Sequence, residues 1–121
     1  GGGGIRMSYA VATIYNTTID NNQASSSDNG GGGMCIDSSD VTMKNTIISN
    51  NDARYGGGLY IYGDSTTVIL RQSSFINNDA TNFGDEIYTI DSPTISLINT
   101  YFNNPNNRYI IYQGYNGPPT W

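Results

Sequence analysis

The sequence predicts an all-β parallel β-helix, a single-stranded solenoid of about four to five coils of ~27 residues. Three observations predict it. Glycine runs recur at 1–4, 30–33 and 56–58. An apolar residue recurs just before paired asparagines, as Ile19-Asp20-Asn21-Asn22, Ile48-Ser49-Asn50-Asn51 and Phe75-Ile76-Asn77-Asn78. Between these landmarks the side chains alternate apolar and polar with a period of two, the signature of half-buried strands.

Taken in order, the 121 residues divide into coils at 1–29, 30–55, 56–82 and 83–108, followed by a partial coil or cap at 109–121. Five columns hold these coils in register, and all five advance by the same steps from coil to coil. Two are strand columns: Ala12, Val41, Val68, Ile95, and Ile14, Met43, Leu70, Leu97. The third is Ile19, Ile48, Phe75, Phe102. The last two are polar: Asn16, Asn45, Gln72, Asn99, and Asn21, Asn50, Asn77, Asn104. In the second coil, Val41 and Met43 share one face and Thr42 and Lys44 the other. In the third, Leu59 and Ile61 point inward and Tyr60 and Tyr62 outward. In the fourth, Ile95 and Leu97 repeat the pattern. No segment sustains an apolar period of 3.6, so helices should be nearly absent. Each unit is too small to bury its apolar face alone, whereas stacked units bury a continuous core. An antiparallel sandwich would explain the alternation but not the fixed columns.

The columns assign physical roles. Inward apolar residues stack on their equivalents and fill the core. Asparagine tolerates the left-handed backbone of a tight bend. Its side chain can also bond the next copy, so both polar columns are expected to form structural ladders. The glycine runs suit a corner where backbones approach closely. A phosphate-cradling loop would need a following helix and a Lys with Ser or Thr, which these runs lack.

Composition narrows the function. The net charge is −5, with 10 acidic residues against 5 basic ones, so there is no basic stripe for nucleic acid. No apolar run approaches the ~20 residues of a membrane-spanning helix. Cys35 is the one cysteine, so no intrachain disulfide forms, and the expected role is a small β residue. Beginning GGGG without a methionine, the sequence reads as a piece of a longer or assembled protein.

The pairs Gly32-Gly33-Met34 with Ile48 to Asn51, and Gly57-Gly58-Leu59 with Phe75 to Asn78, are of the GG-x-I and F-x-x-N type. On these motifs the chain, through Asn104, resembles the polymorphic outer membrane proteins of chlamydiae and related right-handed β-helix surface proteins. Only the Phe75 copy has the strict F-x-x-N form, and the fourth unit carries Asp85-Glu86 for the glycines and Pro105 for the last asparagine. The resemblance implies a right-handed coil, placement outside the cell or at its surface, and an adhesive or passenger role.

Candidate chemistry is sparse. Asp37, Asp64 and Asp91 recur at even spacing, one per coil, before the second strand. Stacked carboxylates are the arrangement for Ca²⁺, so these are the candidate metal positions. An acid pair could also cleave glycosides. Aspartate is equally a common turn residue, here beside serines, and the expected reading is turn chemistry with no metal, no cofactor and no catalysis. The more suggestive feature is aromatic. Tyr60, Tyr62 and Tyr88 should cluster outward after the glycine corner, and Tyr109, Tyr112, Tyr115 and Trp121 extend the aromatic content. Tyr60, Tyr62, Tyr88 and Trp121 form the candidate interaction surface, with Trp121 also able to plug the core. Cross-strand ring stacking is the alternative role.

A short solenoid exposes strand edges at both ends. The expected partners are therefore copies of the chain, or the rest of a longer chain, stacked end to end, with glycans as a further class. The sequon Asn16-Thr17-Thr18 falls on a ladder column and is expected to be unmodified. The function expected is a structural, non-enzymatic, extracellular or cell-surface module that is adhesive or fibre-forming. The alternative is a carbohydrate-binding or polysaccharide-cleaving β-helix. An ice-binding solenoid fits poorly, because no outward Thr-x-Thr ladder persists.

Overall fold

A computed structural model describes residues 2–25, 30–104 and 111–114. It contains strands and turns, with no helix among the described residues. The first coil supplies β1 (Ile5–Ser8), β2 (Val11–Tyr15) and β3 (Thr18–Asp20). The second supplies β4 (Met34–Asp37), β5 (Asp40–Lys44), β6 (Ile47–Ser49) and β7 (Asp52–Tyr55). The third supplies β8 (Leu59–Tyr62), β9 (Thr67–Arg71), β10 (Ser74–Ile76) and β11 (Asp79–Phe83). The fourth supplies β12 (Ile87–Ile90), β13 (Thr94–Ile98) and β14 (Tyr101–Asn103), and β15 (Ile111–Gln113) opens a fifth.

Equivalent strands of successive coils pair in parallel. The sheets run β1-β4-β8-β12-β15, β2-β5-β9-β13, β3-β6-β10-β14 and β7-β11. All three predicted apolar columns are realised as direct register partners. Ala12 lies against Val41, Val41 against Val68, and Val68 against Ile95. Ile14, Met43, Leu70 and Leu97 follow in the same sheet. Ile19, Ile48, Phe75 and Phe102 stack in the next. Ala12 apart, these residues join Met34, Ile36, Leu59, Ile61 and Ile87 of the first sheet in one core running along the solenoid axis. Phe75 and Phe102 stack with centroids 5.0 Å apart at 12°.

The corners follow from backbone conformation. Asn16, Asn45, Gln72 and Asn99 all adopt positive φ, between 47° and 51°. Asn21, Asn50 and Asn77 do so at the next corner, with φ of 56°, 51° and 55°. The left-handed region costs most side chains about 1–2 kcal/mol, and asparagine less because its short amide bonds locally. The glycine corner has a different cause. A Cβ on Gly32 would stand 2.5 Å from the Gly57 carbonyl oxygen and 2.6 Å from the Asp52 nitrogen. On Gly57 it would stand 2.5 Å from the Asp85 carbonyl oxygen. These atoms are backbone and have nowhere to move, so neighbouring strands meet here only without side chains.

Phe75 is fully buried, so Phe75→Ala should lower stability by about 3–5 kcal/mol, read from the midpoint of urea unfolding. A loss below about 1 kcal/mol would show that this column does not hold the stack.

Candidate functional site

Inside the corner made by Asn21, Asn50 and Asn77, one residue beyond these bend asparagines, the structure places an amide ladder that is buried at Asn51 and Asn78. Asn22 donates from Nδ2 to Asn51 Oδ1 at 3.0 Å, and its backbone N–H donates to the same oxygen at 2.9 Å. Asn51 donates from Nδ2 to Asn78 Oδ1 at 2.9 Å and to the Ile19 carbonyl at 2.9 Å. Asn78 donates to the Ile48 carbonyl at 2.9 Å and to Glu86 Oε2. The predicted ladder at Asn21, Asn50, Asn77 and Asn104 is corrected accordingly. Asn21, Asn50 and Asn77 are exposed bend residues, and the amides of Asn21 and Asn50 both donate to Asp20. Asn104 donates to the Asn78 carbonyl and to Asp85 Oδ2. The physical reason is that a left-handed residue turns its side chain out of the corner and the following residue turns inward. The other predicted column does carry a rung, from Asn45 Nδ2 to Asn16 Oδ1 at 2.8 Å.

The ladder ends on an acid. Glu86 follows Asp85 at the corner that glycines occupy in the earlier coils: the Gly58 N–H bonds the Asp85 carbonyl and the Leu59 N–H the Glu86 carbonyl. Glu86 is fully buried, its Oε1 has no hydrogen-bond partner among the described residues, and burial pushes its carboxyl up to about 7. Thr89, in the otherwise apolar column of Met7, Ile36 and Ile61, also has an unpartnered Oγ1 among the described residues.

The acidic column is a second correction. Asp37 lies against Tyr62, and Tyr62 against Ile90, so Asp37, Asp64 and Asp91 do not share a register position. In the second sheet Val41, Val68 and Ile95 stack at even sequence spacing. In the first sheet the step from Met34 to Leu59 is shorter than the step from Leu59 to Ile87. The turn at 63–66 absorbs the difference. The positions that do align at this corner by conformation are Tyr9, Ser38, Gly63 and Asp91, all at positive φ. Asp37 accepts from Ser8 and Ser38, and Asp64 Oδ1 accepts the Ser92 N–H at 3.2 Å. No cluster of three or more acidic, cysteine or histidine side chains suited to a metal occurs among the described residues.

Tyr60, Tyr62 and Tyr88 are brought together on the outer face of the first sheet. Tyr60 stacks on Tyr88 at 5.2 Å and 28°, and meets Tyr62 edge-on at 5.4 Å. Tyr88 is itself mostly buried, at 8% exposure, so it serves as the platform for the half-buried Tyr60 and Tyr62 rather than as a contact ring. Tyr55 adds to it at 5.0 Å, and Phe83 stacks on Tyr55 at 6.4 Å. Two cations border the rings. Arg6 Nη2 donates to the Tyr62 hydroxyl at 3.5 Å, and the Arg54 guanidinium lies 5.4 Å from the Tyr55 ring centre. Cys35, paired in the sheet with Arg6 and Tyr60, is buried, and that burial raises its thiol pKa despite the guanidinium. Burial also carries the Tyr60 phenol up to about 12, so the ring presents a neutral hydroxyl at physiological pH. Beside Arg54, a hollow of about 200 Å³ opens over β7 and β11, edged by Gln23, Asp52, Thr81 and Asn82. Tyr109, Tyr115 and Trp121 lie outside the described residues, as does the side chain of Tyr112.

Sequence reasoning passed over Tyr55, Phe83 and Arg6 because each lies in a different coil or strand. It registered Glu86 only as a departure from the glycine pattern and gave it no role. The signal for Glu86 was in the columns: one repeat beyond Asn78 stands Pro105, which has no amide to continue the ladder.

A family model described as right handed beta helix region matches residues 1–118. No curated protein and no solved structure matches the chain.

The ladder and the bend column make opposite predictions. Asn51→Ala should cost about 1–3 kcal/mol because it strands buried partners, while Asn50→Gly should change stability by less than about 0.5 kcal/mol. Equal losses for the two, measured by urea unfolding, would contradict this assignment.

Proposed function

The chain belongs to the right-handed β-helix family, and from that premise we propose that it is a non-catalytic structural module with an adhesive tyrosine face. The observation that carries the reading is the ring cluster. Tyr60 and Tyr62 stand half-buried on the Tyr88 platform, fixed by a sheet whose strands pair coil to coil. Rings held rigidly in this way lose little conformational entropy on contact, which makes tyrosine an effective docking residue. Arg6 and Arg54 at the border add charged donors to that face. The likeness of the GG-x-I and F-x-x-N repeats to those of polymorphic outer membrane proteins supports an extracellular or cell-surface setting. The outer edges of β1, β2 and β3 have no strand partner among the described residues, and Ile5, Met7 and Ile14 there are only half-buried. A further coil, from the same chain or another copy, is the partner that would complete those edges.

A second reading, carbohydrate binding, is favoured by the hollow of about 200 Å³ beside Arg54. Its amide, hydroxyl and carboxylate lining suits sugar hydroxyls, and the neighbouring rings offer apolar faces.

The two readings separate by experiment. Surfaces coated with the protein should retain cells or extracellular matrix, and the double variant Tyr60→Ala, Tyr62→Ala should lose at least about tenfold in retention while keeping its unfolding midpoint within ~1 kcal/mol of stability. Retention by the double variant equal to the parent would sink the tyrosine face. Shortening of a soluble polysaccharide, followed by its reducing ends, would overturn the non-catalytic reading. Retardation in a polysaccharide gel without shortening would favour the second reading.

A further inference from the structure

Glu86 is a buried acid that the proposed function does not use. Three observations define its situation. It stands at a corner that earlier coils build from glycine, where Gly33 and Gly58 lie against Asn51 and Asn78 of the ladder. Its Oε2 accepts from the amide of Asn78, so the ladder that begins at Asn22 passes through Asn51 and Asn78 and closes on this carboxyl. Its Oε1 is buried with no partner among the described residues.

An amide ladder is self-satisfying because each rung both donates and accepts. A carboxylate only accepts, and burying its charge without full hydrogen bonding is costly, whereas the neutral acid costs far less. Around it, Asp85 is the adjacent titratable group and opposes its ionisation. Asp79 opens β11 beside that corner, and the uncharged Asn78 and Asn104 face it with hydrogen bonds that favour the carboxylate but do not offset the burial.

We propose that Glu86 is a protonation-controlled lock on the fourth coil, closing the asparagine ladder when neutral and loosening the start of β12 when ionised. The direction of the pH response follows. The folded carboxyl titrates at about 7 against an ordinary 4.5, so between these values the folded state holds a proton that the unfolded state has lost. The stabilisation is complete below pH 4.5, declines as pH rises through that window, and is gone above about 7. Because β12 also carries Tyr88, the lock reaches the platform under Tyr60.

The test is amide hydrogen exchange on the full chain at pH 5 and pH 8, expressed as protection factors to remove the intrinsic rate. For Ile87 to Ile90, protection should be about tenfold or more greater at pH 5 than at pH 8. The Glu86→Gln variant, neutral and of the same shape, should show equal protection at both values. Unchanged protection in the parent would overturn the proposal, as would a Glu86→Gln variant that keeps the parent's pH dependence. The readout needs no ligand, so its failure is distinct from failure of the adhesive reading.

Discussion

Parallel stacking in register is the constraint on which everything else in this molecule depends. Each residue in a strand lies on its positional equivalent one coil away, so a side chain's main neighbour is the residue at the same place in the repeat. Apolar residues satisfy this without difficulty, as the fully buried Val41, Val68 and Ile95 do. A polar residue inside the stack does best when it can bond to its counterpart as well as to nearby backbone. Asparagine meets the requirement because its amide donates on one side and accepts on the other. That is why Asn51 can be almost wholly buried between Asn22 and Asn78 while bonding to both.

The same constraint explains the corners. A bend repeated at every level must use a conformation that each coil can adopt. Asn16, Asn45, Gln72 and Asn99 share nearly one φ value although one of them is glutamine. The glycine corner repeats for a steric reason, since successive backbones there approach too closely for a Cβ. Where the fourth coil departs from the pattern, the departures are linked. In sequence, Glu86 replaces a glycine in the same repeat in which Pro105 replaces the ladder asparagine, and in the structure the Glu86 carboxyl takes the ladder's terminal contact. A fold built on repetition concentrates its unusual chemistry where repetition breaks.

The outer face obeys looser rules, and function has room there. Sheet-facing positions need only lie side by side, so one column can run Arg6, Cys35, Tyr60 and Tyr88. The result is a ring cluster with a buried base and cations at its border. The rigidity of that cluster comes from the core beneath it, so architecture and surface are coupled through β8 and β12.

Much of this was legible in the sequence. The fold class, the apolar columns and the left-handed corners follow from periodicity and from residue chemistry that acts locally. The site was legible in part: Tyr60, Tyr62 and Tyr88 could be placed on one face, because alternation fixes direction. Local rules could not decide which of two adjacent asparagines turns inward, since either can occupy a bend and only the corner's geometry separates Asn50 from Asn51. Nor could they show that Asp37, Asp64 and Asp91 fall out of register, because equal spacing in sequence becomes equal height only if the turns between have equal length. The sequence by itself determined the repeat, the core and the outward rings. Tertiary structure alone decided the burial of Tyr88 and Glu86, because burial depends on what neighbouring coils place on top of a residue, and that is not encoded at the residue itself.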